Sequence, residues 1–158
     1  MIKIVVTTCA VLLTWFIDLF HLATLAPPKP EDLSVSNKPV HSTFIPKESL
    51  GIHQMVLTGT HYERGLASAS LTKDLMSAQE DILVNEFYYF FPHALTRYGF
   101  MFAAMRWFWG VDKYFEPWMR QELYGVSRSS SRRYDYLIDG YTRQFAYHGI
   151  HEVGQFFV

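Results

Sequence analysis

The sequence predicts an α+β fold that is mainly helical and is preceded by a hydrophobic N-terminal helix. Three observations lead to this prediction: an apolar run over residues 4–26, alternating apolar residues over Ile52–Thr58, and helix-type patterns with caps and stops from Thr60 onward. At 158 residues the chain is long enough for one modest domain. Aromatic residues make up 17% of it, so bulky apolar surface is plentiful and disorder of the whole chain is excluded.

Charge and cysteine content exclude several classes of protein. Fourteen Lys and Arg against fifteen Asp and Glu give a formal net charge of -1, which argues against a dedicated nucleic-acid binder. The one cysteine of the sequence, Cys9, excludes an internal disulfide framework and a cysteine-based zinc finger. We therefore predict no nucleic-acid partner.

The N-terminal run over residues 4–26 is interrupted by Asp18 and His21. As a helix of about 23 residues it would extend about 34 Å at ~1.5 Å per residue, close to the ~30 Å of a bilayer core. Two interpretations stay open for residues 1–26, a membrane anchor and a cleaved signal peptide with Thr24-Leu25-Ala26 before the cleavage point. Both predict export, with the bulk of the chain membrane-anchored or periplasmic or extracellular.

Residues 27–51 are rich in proline, serine and charged residues, which predicts an extended linker. Ile52–Thr58 then predicts a short strand, and Gly59-Thr60 a turn. The predicted organisation is therefore a leader or anchor over 1–26, a linker over 27–51, and one domain-like region over 52–158.

Four helices are predicted in that region. Thr60 and Glu63 form a capping-box pattern that opens a helix ending at Pro92, and a second helix, interpreted as a core helix, runs from near Ala94 to Gly110. The third begins at Pro117 and ends near Tyr124, with Gly125 as its stop, and the last covers roughly Arg133–Gln155. The first helix has one predicted apolar stripe, made of Leu66, Leu71, Leu75, Ile82, Leu83 and Phe87.

Two histidines near the C-terminus are candidates for chemistry. His148 and His151 lie three residues apart, so on a helix they share one side. A zinc site needs a further protein ligand, and the order His-x-x-His-Glu differs from the His-Glu-x-x-His of zinc proteases. Hydrogen bonding or plain packing therefore explains these residues better, and no metal or other cofactor is predicted.

No self-contained active site emerges from the residues themselves. The sequence lacks a Gly-x-Ser-x-Gly nucleophile elbow, and Cys9 lies in the apolar run. Asp135 and Asp139 can share a helix face, but the nearby Arg132, Arg133 and Arg143 favour salt bridges over an acid–base pair. No catalytic residue is therefore predicted within this chain.

Three stretches in succession resemble the N-terminal part of the isopenicillin N acyltransferase-like (acyl-coenzyme A:6-aminopenicillanic acid acyltransferase) family of N-terminal-nucleophile (Ntn) hydrolases. They are LTGTHYERG over 57–65, DKY and ELYGVS within 112–127, and YDY and YHGIHEVG within 134–154. The resemblance extends from about Leu57 to Gly154. It implies that residues 52–158 are the α-chain-like region of an αββα sandwich.

The resemblance also implies a mechanism that needs more than this chain. Family precursors split at an internal cysteine, whose freed amino group then serves as base in the attack on amide or thioester bonds. No such cysteine follows the Tyr-His-x-x-His-Glu-x-Gly stretch before Val158. We therefore expect an N-terminal portion of an exported or membrane-anchored enzyme, truncated or from a split gene. Its partners would be the missing β-chain-like region, the membrane through residues 4–26 and, in the complete protein, a small-molecule amide.

By this resemblance, two groups of residues frame the missing nucleophile. The candidates for shaping the pocket are Tyr147, His148, His151 and Glu152, and the candidates for the strand-to-helix corner are Gly59, Tyr62, Glu63 and Gly65. An alternative function stays open, that of a membrane-tethered helical interaction module without catalytic activity. In that module the aromatic helix around residues 107–109 would dock a partner.

Overall fold

The structure is a computed structural model, and it describes residues 2–45 and 54–154. The described part is mostly helical with one small sheet, which confirms the predicted helix-rich α+β class. Its helices are α1 (Ile2–Ala23), α2 (His61–Leu71), α3 (Lys73–Phe90), α4 (Ala94–Phe108), α5 (Pro117–Ser127) and α6 (Gly140–Gly154), and its strands are β1 (Thr43–Ile45) and β2 (Gln54–Val56). Short 3₁₀ turns cover Pro30–Asp32, Val111–Tyr114 and Arg132–Tyr134.

Helix α1 requires a correction of the predicted membrane anchor. Among the described residues, no helix combines the length and the apolar character that crossing a membrane requires, so the predicted transmembrane segment over residues 4–26 is wrong. The physical reason lies in Asp18 and His21, which divide the run. The segment without a charged side chain, Ile4–Ile17, measures about 21 Å as a helix, less than the ~30 Å of a bilayer core. The ring of Phe16 stacks instead on that of Phe102 in α4, with 5.9 Å between centroids. Export itself stays a prediction.

The two strands form an antiparallel pair in which Phe44 is opposite Met55. The strand predicted over Ile52–Thr58 is confirmed at Gln54–Val56, and it ends before Leu57. Its first two predicted residues, Ile52 and His53, lie outside the described residues. Strand β1 falls inside the predicted linker over 27–51. The hydroxyl of Thr58 also donates to the carbonyl of His41 (2.6 Å), so this part of the linker is fixed to the residues that follow β2.

The predicted capping box opens α2. The Oγ1 of Thr60 accepts from the amide of Glu63, and the Glu63 carboxylate accepts from the amide of Thr60 at 2.8 Å. The helix predicted to continue to Pro92 is divided at Thr72, whose hydroxyl donates to the carbonyl of Ser68, a side-chain bond often found where helices bend. The predicted apolar stripe is not a core face, because Leu75 and Ile82 are exposed.

Helix α4 lies where it was predicted, but it is not a buried core helix. Met105 is its one buried residue, whereas Leu95 and Trp107 are 84% and 83% exposed. The helix is apolar as the sequence predicts, but the other described residues bury only one of its sides.

Helices α2 and α5 cross at two glycines. A Cβ added to Gly65 would lie 2.0 Å from the carbonyl oxygen of Glu122, and one added to Gly125 would lie 2.3 Å from that of Tyr62. The two backbones therefore touch at this crossing, which no larger residue permits. Gly125, predicted to stop a helix, instead lies inside α5, which continues to Ser127.

Helix α6 begins at Gly140 and not at Arg133, because Asp139 caps it by accepting from the amide of Thr142 at 3.0 Å. Its first turns face the small core. Fully or largely buried there are Leu25, Leu123, Tyr141 and Phe145, with Val111, Phe115 and Tyr124 packed around them. The Leu25 amide donates to Thr142 Oγ1 at 3.0 Å, which attaches the segment after α1 to α6.

Candidate functional site

The strand-to-helix corner is built around Gly59. Its φ of 101° lies in the left-handed region that favours glycine, and a Cβ here would approach Glu63 Oε2 to 2.7 Å. The Glu63 carboxylate accepts from the amides of Thr60 (2.8 Å) and Ser36 (2.9 Å). These two hydrogen bonds, that of Thr60 first, hold the pKa of Glu63 below its ordinary value. Glu63 is thus an ionised clamp between α2 and the segment before β1.

The other two corner residues serve packing. The Tyr62 ring stacks on Tyr124 at 5.8 Å between centroids, and Gly65 gives the close approach to α5. The four predicted corner residues, Gly59, Tyr62, Glu63 and Gly65, are therefore brought together as one structural unit. Because the Glu63 oxygens are occupied by hydrogen bonds of the cap, nothing in this unit indicates acid–base chemistry.

The predicted pocket residues lie on the second half of α6. The hydroxyl of half-buried Tyr147 donates to Glu80 Oε1 at 3.4 Å. Burial first, and then the Glu80 carboxylate, raises the pKa of Tyr147 above its ordinary value, so the hydroxyl keeps its proton. His148 is exposed, and its Nδ1 lies 2.9 Å from the carbonyl of Gln144, to which it donates. The side chains of His151 and Glu152 lie outside what the structure describes.

Sequence reasoning missed the partner of Tyr147. Glu80 and Arg143 are each 3% exposed, and Arg143 Nε donates to Glu80 Oε1 at 2.9 Å. Arg143 Nη2 donates to the carbonyl of Ser131 (2.6 Å), and Nη1 to that of Ile138 (2.8 Å). The second Glu80 oxygen accepts from the Ser131 amide at 3.3 Å. This buried ion pair is therefore hydrogen-bonded on both sides, as buried charges must be.

A second set of contacts lies beside this ion pair. The Tyr134 hydroxyl contacts Asp81 Oδ1, which raises the pKa of Tyr134, and Arg133 Nη1 lies 3.3 Å from the same oxygen. We call Glu80, Asp81, Tyr134, Arg143 and Tyr147 the polar seam, since they join α3 to α6 and to the turn before it.

The predicted salt bridges of Asp135 are confirmed, while Asp139 has a different role. Asp135 lies 3.4 Å from Arg143 Nη1 and 3.8 Å from Arg132 Nε. Asp139 instead caps α6. The polar groups of this region thus serve to fix the start of α6.

In the part of the chain that the structure describes, no group of three or more His, Cys, Asp or Glu side chains is placed to hold a metal ion. Cys9 is exposed on α1. A cavity of about 180 Å³ between α4 and α6 is almost wholly apolar, with Phe100, Met101, Met105, Phe108, Ile138 and Phe145 among its lining residues. It is smaller than most small-molecule sites.

A scan against protein-family models, a search of curated proteins and a search of solved structures each return no match to this chain. The resemblance to Ntn hydrolases therefore stays a prediction. Neither the described residues nor the comparisons indicate hydrolase or acyltransferase activity.

Proposed function

We propose that this chain is a helical scaffold that a second polypeptide segment completes by packing on the aromatic face of α3 and α4. The observation that carries the proposal is the amount of bulky apolar side chain left in solvent. On this face Tyr89 is 80% exposed, Phe90 68%, Leu95 84% and Trp107 83%. We propose that these side chains belong to one interaction surface, because large exposed apolar patches mark such surfaces.

The face is held in a fixed shape. The rings of Phe91 and Phe100 stack at 4.5 Å between centroids, which joins the end of α3 to α4. Arg97 fixes the connection between α3 and α4. Its Nη1 donates to the carbonyls of Phe91 (2.9 Å) and Pro92 (2.7 Å), and its guanidinium lies over the Tyr88 ring. A preorganised apolar face binds a partner with less loss of conformational entropy.

For the completed assembly we propose the chemistry that the resemblance implies. This chain would be the α-chain-like region of an αββα sandwich, and a β-chain-like region would bring the sheets and a cysteine acting on amide or thioester bonds. The resembling stretches lie on α2, α5 and α6 with the turns before α5 and α6, and these helices share one set of contacts through the glycine crossing and the core residues Leu123 and Tyr141. The role of the chain would be to position the partner, so the chain alone is expected to be inactive.

The test begins with the DNA that follows the Val158 codon. We expect a reading frame that continues to a small residue followed by Cys-Thr or Cys-Ser. The region it encodes, co-expressed with the Cys9→Ser variant of this chain, should form a complex that gel filtration detects, and iodoacetamide should alkylate the cysteine of that region. Unrelated DNA there, with a long intergenic gap, would count against the enzyme proposal.

The scaffold proposal has its own matched pair of variants. Trp107→Ser removes an 83% exposed ring from the aromatic face, while Trp15→Ser removes a 65% exposed ring from α1. We expect the first to weaken the complex by tenfold or more and the second to leave it unchanged. Equal behaviour of the two variants would refute the assignment of the face.

A further inference from the structure

A polar cavity of about 510 Å³ lies between the end of α5 and the start of α6. It is lined by Pro27 and by residues within 124–141, and we call it the α5–α6 cavity. Small-molecule sites usually measure about 300–1,000 Å³, so the cavity has the size of such a site. It shares no residue with the aromatic face of α3 and α4, and the two proposals are therefore tested independently.

The wall of the cavity offers hydrogen-bond donors that the chain leaves unused. Arg128 is exposed, and its guanidinium has no partner among the residues that the structure describes. Arg132 Nε lies 3.8 Å from Asp135 Oδ2, which is too far for a hydrogen bond. Ser130 Oγ accepts from Gln144 Nε2 at 2.9 Å, so its own proton stays free to donate.

The same wall offers unused acceptors. Asp139 Oδ1 caps α6, but its Oδ2 is buried and has no hydrogen-bond partner within the described part of the chain. The same is true of the hydroxyl of Tyr141, a cavity-lining residue that is only 4% exposed. Burial raises the pKa of Tyr141, so this hydroxyl keeps its proton. Buried polar atoms without a partner are rare and costly, and a ligand with hydroxyl groups can satisfy them.

The charges of the wall cancel. Its two guanidinium groups, from Arg128 and Arg132, are matched by two carboxylates, from Asp135 and Asp139. An anion would therefore meet the carboxylates, and a cation would meet the guanidinium groups. A sugar is neutral, each of its hydroxyls both donates and accepts, and its C–H groups can pack on the ring of Tyr124.

We propose that the α5–α6 cavity binds a neutral sugar. The sugar hydroxyls accept from the two guanidinium groups and donate to the two carboxylates. The turn that forms part of the wall is fixed before a ligand arrives, because Arg143 Nη2 donates to the carbonyl of Ser131 (2.6 Å) and Gln144 Nε2 to Ser130. A preformed site of this kind loses less conformational entropy on binding.

Isothermal titration calorimetry of the whole chain tests the proposal. The probes are D-glucose, D-galactose and D-mannose, with glycine as a zwitterion and inorganic phosphate as an anion. We expect at least one hexose to bind with a Kd of about 1 mM or tighter, and more tightly than glycine or phosphate.

Two variants locate the binding. Asp139→Asn keeps the cap of α6, since asparagine caps as well as aspartate, but puts an amide group that cannot accept in place of the unpaired oxygen. It should weaken binding about tenfold or more. Arg128→Met changes a side chain that has no partner in the described residues, so the fold is kept, and it should weaken binding about threefold or more. Asp74→Asn, in the first turn of α3 and outside the cavity, is the control and should leave binding unchanged.

Three results would overturn the proposal. The first is that none of the three hexoses binds with a Kd below about 10 mM. The second is that glycine or phosphate binds more tightly than every hexose. The third is that Asp139→Asn and Arg128→Met bind the hexose as tightly as Asp74→Asn does.

Discussion

Removal of Arg143 is the sharpest test of how the polar seam holds α6. Arg143→Met keeps a side chain of similar length but leaves the carboxylate of Glu80, which is 3% exposed, without its counter-charge. It also leaves the carbonyls of Ser131 and Ile138 without their guanidinium donors. Breaking one side of a buried pair costs about 3–5 kcal/mol, most of it from the charge left behind.

Two further variants separate the pair from its surroundings. Glu80→Leu with Arg143→Met removes both charges and should restore most of the lost stability, so the double variant should be less destabilised than Arg143→Met alone. Arg132→Met is the control, because Arg132 is 96% exposed and pairs only at 3.8 Å with Asp135, and it should change stability by less than about 0.5 kcal/mol.

Urea unfolding followed by far-ultraviolet circular dichroism measures all three variants, with the slope of each transition showing whether unfolding stays two-state. The reasoning is refuted if Arg143→Met costs less than about 1 kcal/mol, which would mean that water or a rearranged side chain satisfies Glu80 at no expense. It is refuted equally if the double variant is as unstable as the single one.

Three other predictions concern α2 and its neighbours. Gly65→Ala should destabilise the protein by about 3 kcal/mol, because the added methyl group would lie 2.0 Å from the Glu122 carbonyl oxygen. The control, Gly99→Ala in α4, places its methyl group where no atom lies within 4 Å and should stabilise the protein by about 0.5–1 kcal/mol. Thermal unfolding of both variants measures the difference. Thr60→Ala removes the N-cap oxygen and should lower the free energy of unfolding, measured by urea titration, by about 1 kcal/mol. An unchanged free energy of unfolding would show that the capping box does not stabilise the protein. The lowered pKa of Glu63 means that its ionised form is favoured by folding, so its stabilisation is present above the ordinary value of 4.5 and is lost as pH falls through the lower folded pKa. The drop of the unfolding midpoint in acid should therefore be smaller in Glu63→Gln, and equal drops would contradict this.

Features set by neighbouring residues were predictable from the sequence. Thr60 and Glu63 lie three residues apart and form the capping box that their spacing predicts. Helix α4 starts at Ala94, two residues after Pro92, and α5 starts at Pro117, a residue suited to the first helical position. In each case the hydrogen bonds or steric limits involve residues within one or two turns, so their pattern is readable in the chain.

The candidate site was predictable only in part, because its decisive contacts join distant residues. Tyr147 was singled out, but its partner Glu80 lies 67 positions away in the sequence. Likewise, the sequence predicts Gly125 as a helix stop, and only the close contact of α2 with α5 explains a glycine inside α5. A buried charge and a glycine inside a helix both run against local preference, and only a partner brought near by folding makes them favourable.

The sequence by itself determined the helix-rich class, the cap of α2 and the beginnings of α4 and α5, since these follow from local hydrogen bonding and from proline geometry. Tertiary structure alone decided that residues 43–45 pair with 54–56, that Glu80 and Arg143 are buried together, and that one side of α4 stays in solvent. The physical reason is that burial and strand pairing depend on which surfaces meet, and a residue's own neighbours in the chain do not specify that.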